Sequence, residues 1–166
     1  DAFGTLRAGA ASRGGGVDVA AALWGGIIGA IVAATVYAGF LGLRLTRLDL
    51  LRFEGGLIQR ERTSMVYIYG VTVQVVAGAL LALAYRQVFQ QLDSATFVGW
   101  GALLGLAQGV LAVLLLPVLG MLNRNVRAGD EPPPGRFGRA YGGLTPVALL
   151  VASVVFGTWV GIVLLP

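Results

Sequence analysis

Few side chains in this chain of 166 residues could act on another molecule, and they are scattered. Tyr67, Tyr69, Gln74 and Gln108 carry phenol and amide groups able to hydrogen-bond the carbonyl of a quinone or a similar ring. Oxidising a quinol also requires a group that accepts its proton, and the apolar segments holding these four residues contain no titratable type except tyrosine. The chain can therefore line such a pocket but not run that reaction. Asp130 and Glu131 are adjacent carboxylates in a proline-containing stretch, where solvation is the expected state. Cysteine and histidine are both absent, which removes a disulfide, a thiolate nucleophile, Cys/His metal ligation and axial haem ligation through either residue. Neither a Ser-His-Asp set nor a phosphate loop is present. These residues predict a non-catalytic protein with no cofactor and no metal.

The elements that carry these residues are unusually apolar. Four stretches contain no charged residue: 19–43, 63–85, 94–123 and 140–166. A hydrocarbon core of about 30 Å needs roughly 20 apolar residues in helical form, and each stretch is long enough. Only 12% of the residues are charged, about half the share in soluble domains. The pattern predicts an all-α integral membrane protein with four transmembrane helices in an antiparallel bundle, spanning about 19–43, 64–86, 95–122 and 145–165. Residues 19–166 form that domain. Residues 1–18, rich in Gly, Ala and Ser and without the apolar core of a signal peptide, read as a flexible N-terminal tail.

All twelve basic residues are arginine, and the formal net charge is +4. Nine of the twelve lie in two loops, between spans 1 and 2 (Arg44, Arg47, Arg52, Arg60, Arg62) and between spans 3 and 4 (Arg124, Arg127, Arg136, Arg139). The positive-inside rule places both loops in the cytoplasm and both termini outside, in a bacterial inner membrane. Arg44, Arg47, Arg52, Arg124 and Arg127 are expected to meet phospholipid headgroups or a partner. With no soluble basic domain, nucleic acid is an unsuitable partner.

Small residues recur at four-residue spacing within the spans. Gly25, Gly26, Gly29 and Ala30 mark span 1, Gly101, Gly105 and Gly109 span 3, and Ser153, Gly157 and Gly161 span 4. Lipid offers no hydrophobic drive between helices, so close backbone contact must hold them together. These positions are predicted to pack within the bundle or against a partner subunit. Gln74 and Gln108 predict an interhelical hydrogen bond, with each other as the expected pair. The first Arg-rich loop alternates leucine and Phe53 with Arg44, Arg47, Asp49, Arg52 and Glu54. That spacing predicts a short amphipathic helix in the headgroup plane, ended by Gly55-Gly56, with Asp49 and Arg52 paired on its surface. The short connection between spans 2 and 3 predicts an antiparallel hairpin. Pro117 should kink span 3. Thr145 and Pro146 read as the N-cap and first residue of span 4.

A chain made almost wholly of packing surface suggests an accessory subunit of a larger bacterial membrane assembly, respiratory or photosynthetic, whose partners are other integral-membrane subunits and phospholipids. The alternative is a stand-alone carrier or channel working as a homo-oligomer. Thr35, Thr72, Gln74, Gln108, Ser153 and Thr158 are its candidate lining. Convergence of those six favours a carrier, whereas glycine faces turned toward foreign helices favour a subunit.

Overall fold

The computed structural model describes residues 18–60 and 64–165, so the tail expected over 1–18 lies outside the described residues except for Asp18. Four helices are long and apolar enough to cross a membrane: α1 (Val19–Gly42), α3 (Met65–Phe89), α4 (Phe97–Leu122) and α6 (Thr145–Val163). Two short helices, α2 (Leu50–Ile58) and α5 (Arg124–Arg127), lie at the Arg-rich end. Asp18 opens α1 by accepting a hydrogen bond from the Ala20 amide at 2.9 Å, satisfying one of the donors a helix start leaves free.

Glycine decides which spans meet. A Cβ at Gly101 would strike the Gly157 carbonyl oxygen, one at Gly105 the Ser153 carbonyl, and one at Gly161 the Phe97 carbonyl. Gly109 faces Ser153 and Leu150 in the same register. The small rows of α4 and α6 thus interlock as an antiparallel pair with backbones in contact, the arrangement that lets dispersion forces hold helices together in lipid. Gly26 meets Gly78 in the same way and joins α1 to α3, with Ala30 packed on Gly78. Gly25 and Gly29 of α1 accept the side chains of Val163, Phe156 and Trp159 from α6. The lateral order is therefore α3, α1, α6, α4, with α1 and α6 central.

This order departs from the expected hairpin of spans 2 and 3. Although α3 and α4 follow one another in the chain, they barely touch along their lengths, because the glycine faces of each are occupied by α1 and α6. They meet near their connection, where Phe89 stacks on Phe97 with ring centroids 4.8 Å apart. Helix α4 also runs on through Pro117 to Leu122. Thr145 is the first residue of α6 rather than its cap. Its hydroxyl lies 2.8 Å from that of Thr46, which tethers the first Arg-rich loop to the start of α6.

The expected short helix between spans 1 and 2 is present as α2, and it packs lengthwise on α3. A Cβ at Gly55 would strike the Val66 carbonyl, and one at Gly70 the Leu51 carbonyl, so α2 runs antiparallel along the first turns of α3 with its N-terminus pointing into the bundle. Gly55-Gly56 does not end the helix, which continues to Ile58. The two glycines are contact positions, Gly55 against α3 and Gly56 against the side chains of Asn123 and Asn125.

Candidate functional site

The gap between α3 and α4 holds a cavity of about 180 Å³. Ala77, Gly78 and Leu81 of α3 form one wall, and Ala112, Leu116 and Leu119 of α4 form the other. Ala30 and Ala33 of α1 and Ala152 and Phe156 of α6 close the back, and Leu50, Phe53 and Leu57 of α2 close the Arg-rich end. Against this apolar lining stand four polar side chains: Glu54, Gln74, Gln108 and Ser153. An enclosure of about 150 Å³ holds a benzene ring, so this one takes a group near that size or a short string of waters.

Glu54 is the unexpected member. It lies on α2, outside every span, yet the tilt of α2 along α3 carries its carboxylate into the cavity. With the Gln74 amide nitrogen turned toward it, Gln74 donates to Glu54 Oε1 at 2.7 Å and to Oε2 at 2.9 Å. Burial pushes the Glu54 carboxyl up to about 8, with no neighbouring cation offsetting the shift. A carboxylate removed from water is costly to keep charged unless it is paired, and protonation relieves that cost.

Gln74 and Gln108 do not bond one another. Gln74 is nine residues from the start of α3 and Gln108 fourteen from the end of α4, which at 1.5 Å per residue separates their depths by roughly 7 Å. Gln108 instead accepts a hydrogen bond from the Tyr85 hydroxyl at 2.7 Å, linking α3 to α4 across the deeper half of the cleft. Of the remaining candidates, Ser153 lines the cavity and Thr158 does not. Thr35 and Thr72 are exposed and donate to the carbonyls of Ile31 and Ile68 in their own helices, each at 2.8 Å. Tyr67 donates to Asp49 at 2.8 Å on the outer face of the α2–α3 pair, away from the cavity. Tyr69 does not line the cavity either.

A second polar layer fixes α2, and through it Glu54. Asn123, fully buried, donates from Nδ2 to the Phe53 carbonyl at 2.7 Å while its Oδ1 accepts from the amides of Asn125 and Val126. One side chain therefore caps α5 and holds the backbone of α2. Arg52 pairs with Glu131 at 2.9 Å and Arg60 with Asp130 at 3.0 Å, so the two carboxylates expected to be solvated tie the Arg-rich loops together. Burial raises the Glu131 carboxyl and outweighs the opposing pull of Arg52. Asp49 does not pair with the Arg52 side chain; it caps α2 by accepting from the Arg52 amide at 3.2 Å. Phe53 meets the Tyr141 ring edge-on at 6.5 Å. Arg44 and Arg47 line a separate pocket with Arg139, and Arg124 and Arg127 are exposed on α5.

Glu54, Phe53 and Asn123 are the residues that sequence reasoning did not single out for this site. The available signals were three glycines that let α2 approach its neighbours: Gly56 against Asn123, Gly55 against Val66 and Gly70 against Leu51. Among the described residues no cluster of potential metal ligands occurs. No family model matches the chain, and no curated protein or solved structure matches it significantly.

Proposed function

We propose that the chain is a small multi-pass carrier of the bacterial inner membrane that exchanges a proton for a small organic cation at Glu54. The observation carrying this reading is the Glu54 carboxylate set at membrane depth beside Gln74, in a cavity that is otherwise apolar. An ionisable side chain at that depth is expensive, and its usual explanation is function. Its charge is relieved either by a proton or by a bound cation, and the two occupants exclude each other. That competition is the basis of exchange. The cavity size limits the cation to about one ring or a compact quaternary ammonium, and Gln108 and Ser153 add polar oxygens to the same lining. The Arg-rich loops face the cytoplasm in this reading, so α2 lies between the cavity and that side.

The test is uptake of tetramethylammonium into proteoliposomes under an imposed proton gradient. Uptake that depends on the gradient and is abolished by Glu54→Gln but kept by Glu54→Asp is the expected result. Uptake by Glu54→Gln equal to that of the unaltered chain, or none by either, would overturn the reading.

A second reading, an accessory subunit of an electron-transfer assembly, draws on the gap itself. Outer helices α3 and α4 are the least covered of the four spans, and a foreign helix laid between them would bury both. The glycine faces that first suggested foreign contacts are occupied inside the chain. Recovery of larger membrane subunits in stoichiometric amounts from a mild-detergent pull-down would favour this reading over the carrier.

A further inference from the structure

We propose that Arg44, Arg47 and Arg139 form a binding site for the phosphate of an anionic phospholipid headgroup. The three line one pocket of about 520 Å³ at the Arg-rich end of the bundle, formed where the chain leaving α1 meets the chain entering α6. Nothing else lining that pocket carries a formal charge. Arg52 and Arg60 have carboxylate partners in Glu131 and Asp130, whereas these three have no ion pair among the described residues. Three cations around one pocket repel one another, and an anion from outside removes that repulsion. A guanidinium fork also suits the oxygens of a phosphodiester.

The pocket is built rather than incidental. The Arg47 amide donates to the Tyr141 carbonyl at 2.7 Å, and the Thr46 and Thr145 hydroxyls meet at 2.8 Å, so two loops nearly a hundred residues apart are joined directly beneath it. Arg44 occupies a costly conformation. Its φ is +59°, and it stands at the turn closing α1, where its amide donates to Leu41 and that of Leu45 to Phe40. Glycine is the usual residue at that position of such a helix-ending turn. An arginine tolerated there in the left-handed region points to a use for its side chain.

The setting selects a lipid over a free anion. Leu43 and Leu144, both exposed, flank the pocket at the ends of α1 and α6. They stand where acyl chains begin if a phosphate sits among the arginines.

The experiment is native mass spectrometry of the full chain in detergent with phosphatidylglycerol, with phosphatidylcholine, and with inorganic phosphate alone. The expected result is retention of phosphatidylglycerol over phosphatidylcholine, about fivefold weaker for each single Arg→Gln change and lost in R44Q/R47Q/R139Q. The matching triple Arg→Lys variant should keep most of the retention. R124Q/R127Q, on α5 and outside the pocket, should match the unaltered chain. Equal retention by R44Q/R47Q/R139Q and the unaltered chain would overturn the site. Saturable phosphate binding without phosphatidylglycerol retention would overturn the lipid as its occupant.

Discussion

The α4–α6 pair rests on close backbone contact, whereas the short helix α2 adds directed polar bonds to its glycine contacts. Between α4 and α6, Gly101, Gly105, Gly157 and Gly161 bring backbone against backbone, with no side-chain hydrogen bond between the two helices. Helix α2 has nine residues, and the Asn123 amide, the Tyr67 hydroxyl, the Gln74 amide and an ion pair at Arg52 hold it in place. Dry contact suits helices that face lipid on their remaining sides, since each helix satisfies its own backbone polar groups. Directed polar bonds suit a short element that holds one carboxylate beside Gln74. Glu54 comes from the short helix between spans 1 and 2, and the formal charge within the four spans is Arg86, in the last turn of α3.

The contrast breaks most sharply at Gly157. Replacing it with leucine forces a side chain into the Gly101 carbonyl, and the α4–α6 pair cannot close. We expect a loss above about 4 kcal/mol, read as failure to recover monodisperse protein in detergent. Gly99→Leu, at a position with open space around it, should leave the melting temperature within a degree or two. Equal behaviour of the two variants would refute the register described above.

The pH response of α2 gives a smaller effect. The Glu54 carboxyl rises from an ordinary 4.5 to about 8 on folding, so the folded chain holds a proton that the unfolded chain has released. Stability from this group is fully present below about pH 4.5, declines as pH rises, and is lost above about 8. The melting temperature in detergent should therefore fall between pH 5 and 8. Glu54→Gln should flatten most of that slope, leaving the part due to Glu131, whose shift has the same sign. A slope undiminished in the variant would place the titrating group elsewhere.

The smallest effect is expected at the surface. Arg52→Gln removes the ion pair with Glu131, a partly exposed interaction worth about 0.2–1 kcal/mol. Its loss should speed amide exchange in α2 while exchange in α4 and α6 stays as it was. Faster exchange throughout the bundle would show that α2 and the spans unfold as one unit.

The spans were legible because their signal is local: length, absence of charge, and small residues every fourth position. The same rows announced close contacts at Gly26, Gly105 and Gly157 but not their partners. Partner choice depends on which faces remain after the others are taken, and so the expected pairing of spans 2 and 3 did not form. Glu54 was hidden for a different reason. Leucines alternating with charges disclose that α2 has two faces, not how deep it lies. Depth is set by Gly55 against Val66 and Leu51 against Gly70, contacts between residues that a sequence pattern reads as a helix end and an anonymous span position. Gln74 and Gln108 were readable as buried amides needing partners. The tilt of α2 and the reach of Tyr85 decided which partners those were.

The lateral order α3, α1, α6, α4 also bears on how the molecule is made. The two glycine-locked pairs, α1 with α3 and α4 with α6, each join neighbouring spans or spans separated by one loop, and each can form as soon as its second helix enters the membrane. The central seam of α1 against α6 joins the first span to the fourth. It waits for the whole bundle to be inserted, and until then the groove at Gly25 and Gly29 stands open to lipid or to another chain. Both contacts of α6, to α4 and across the central seam, thus wait for the fourth span, whereas α1 and α3 can pair before it.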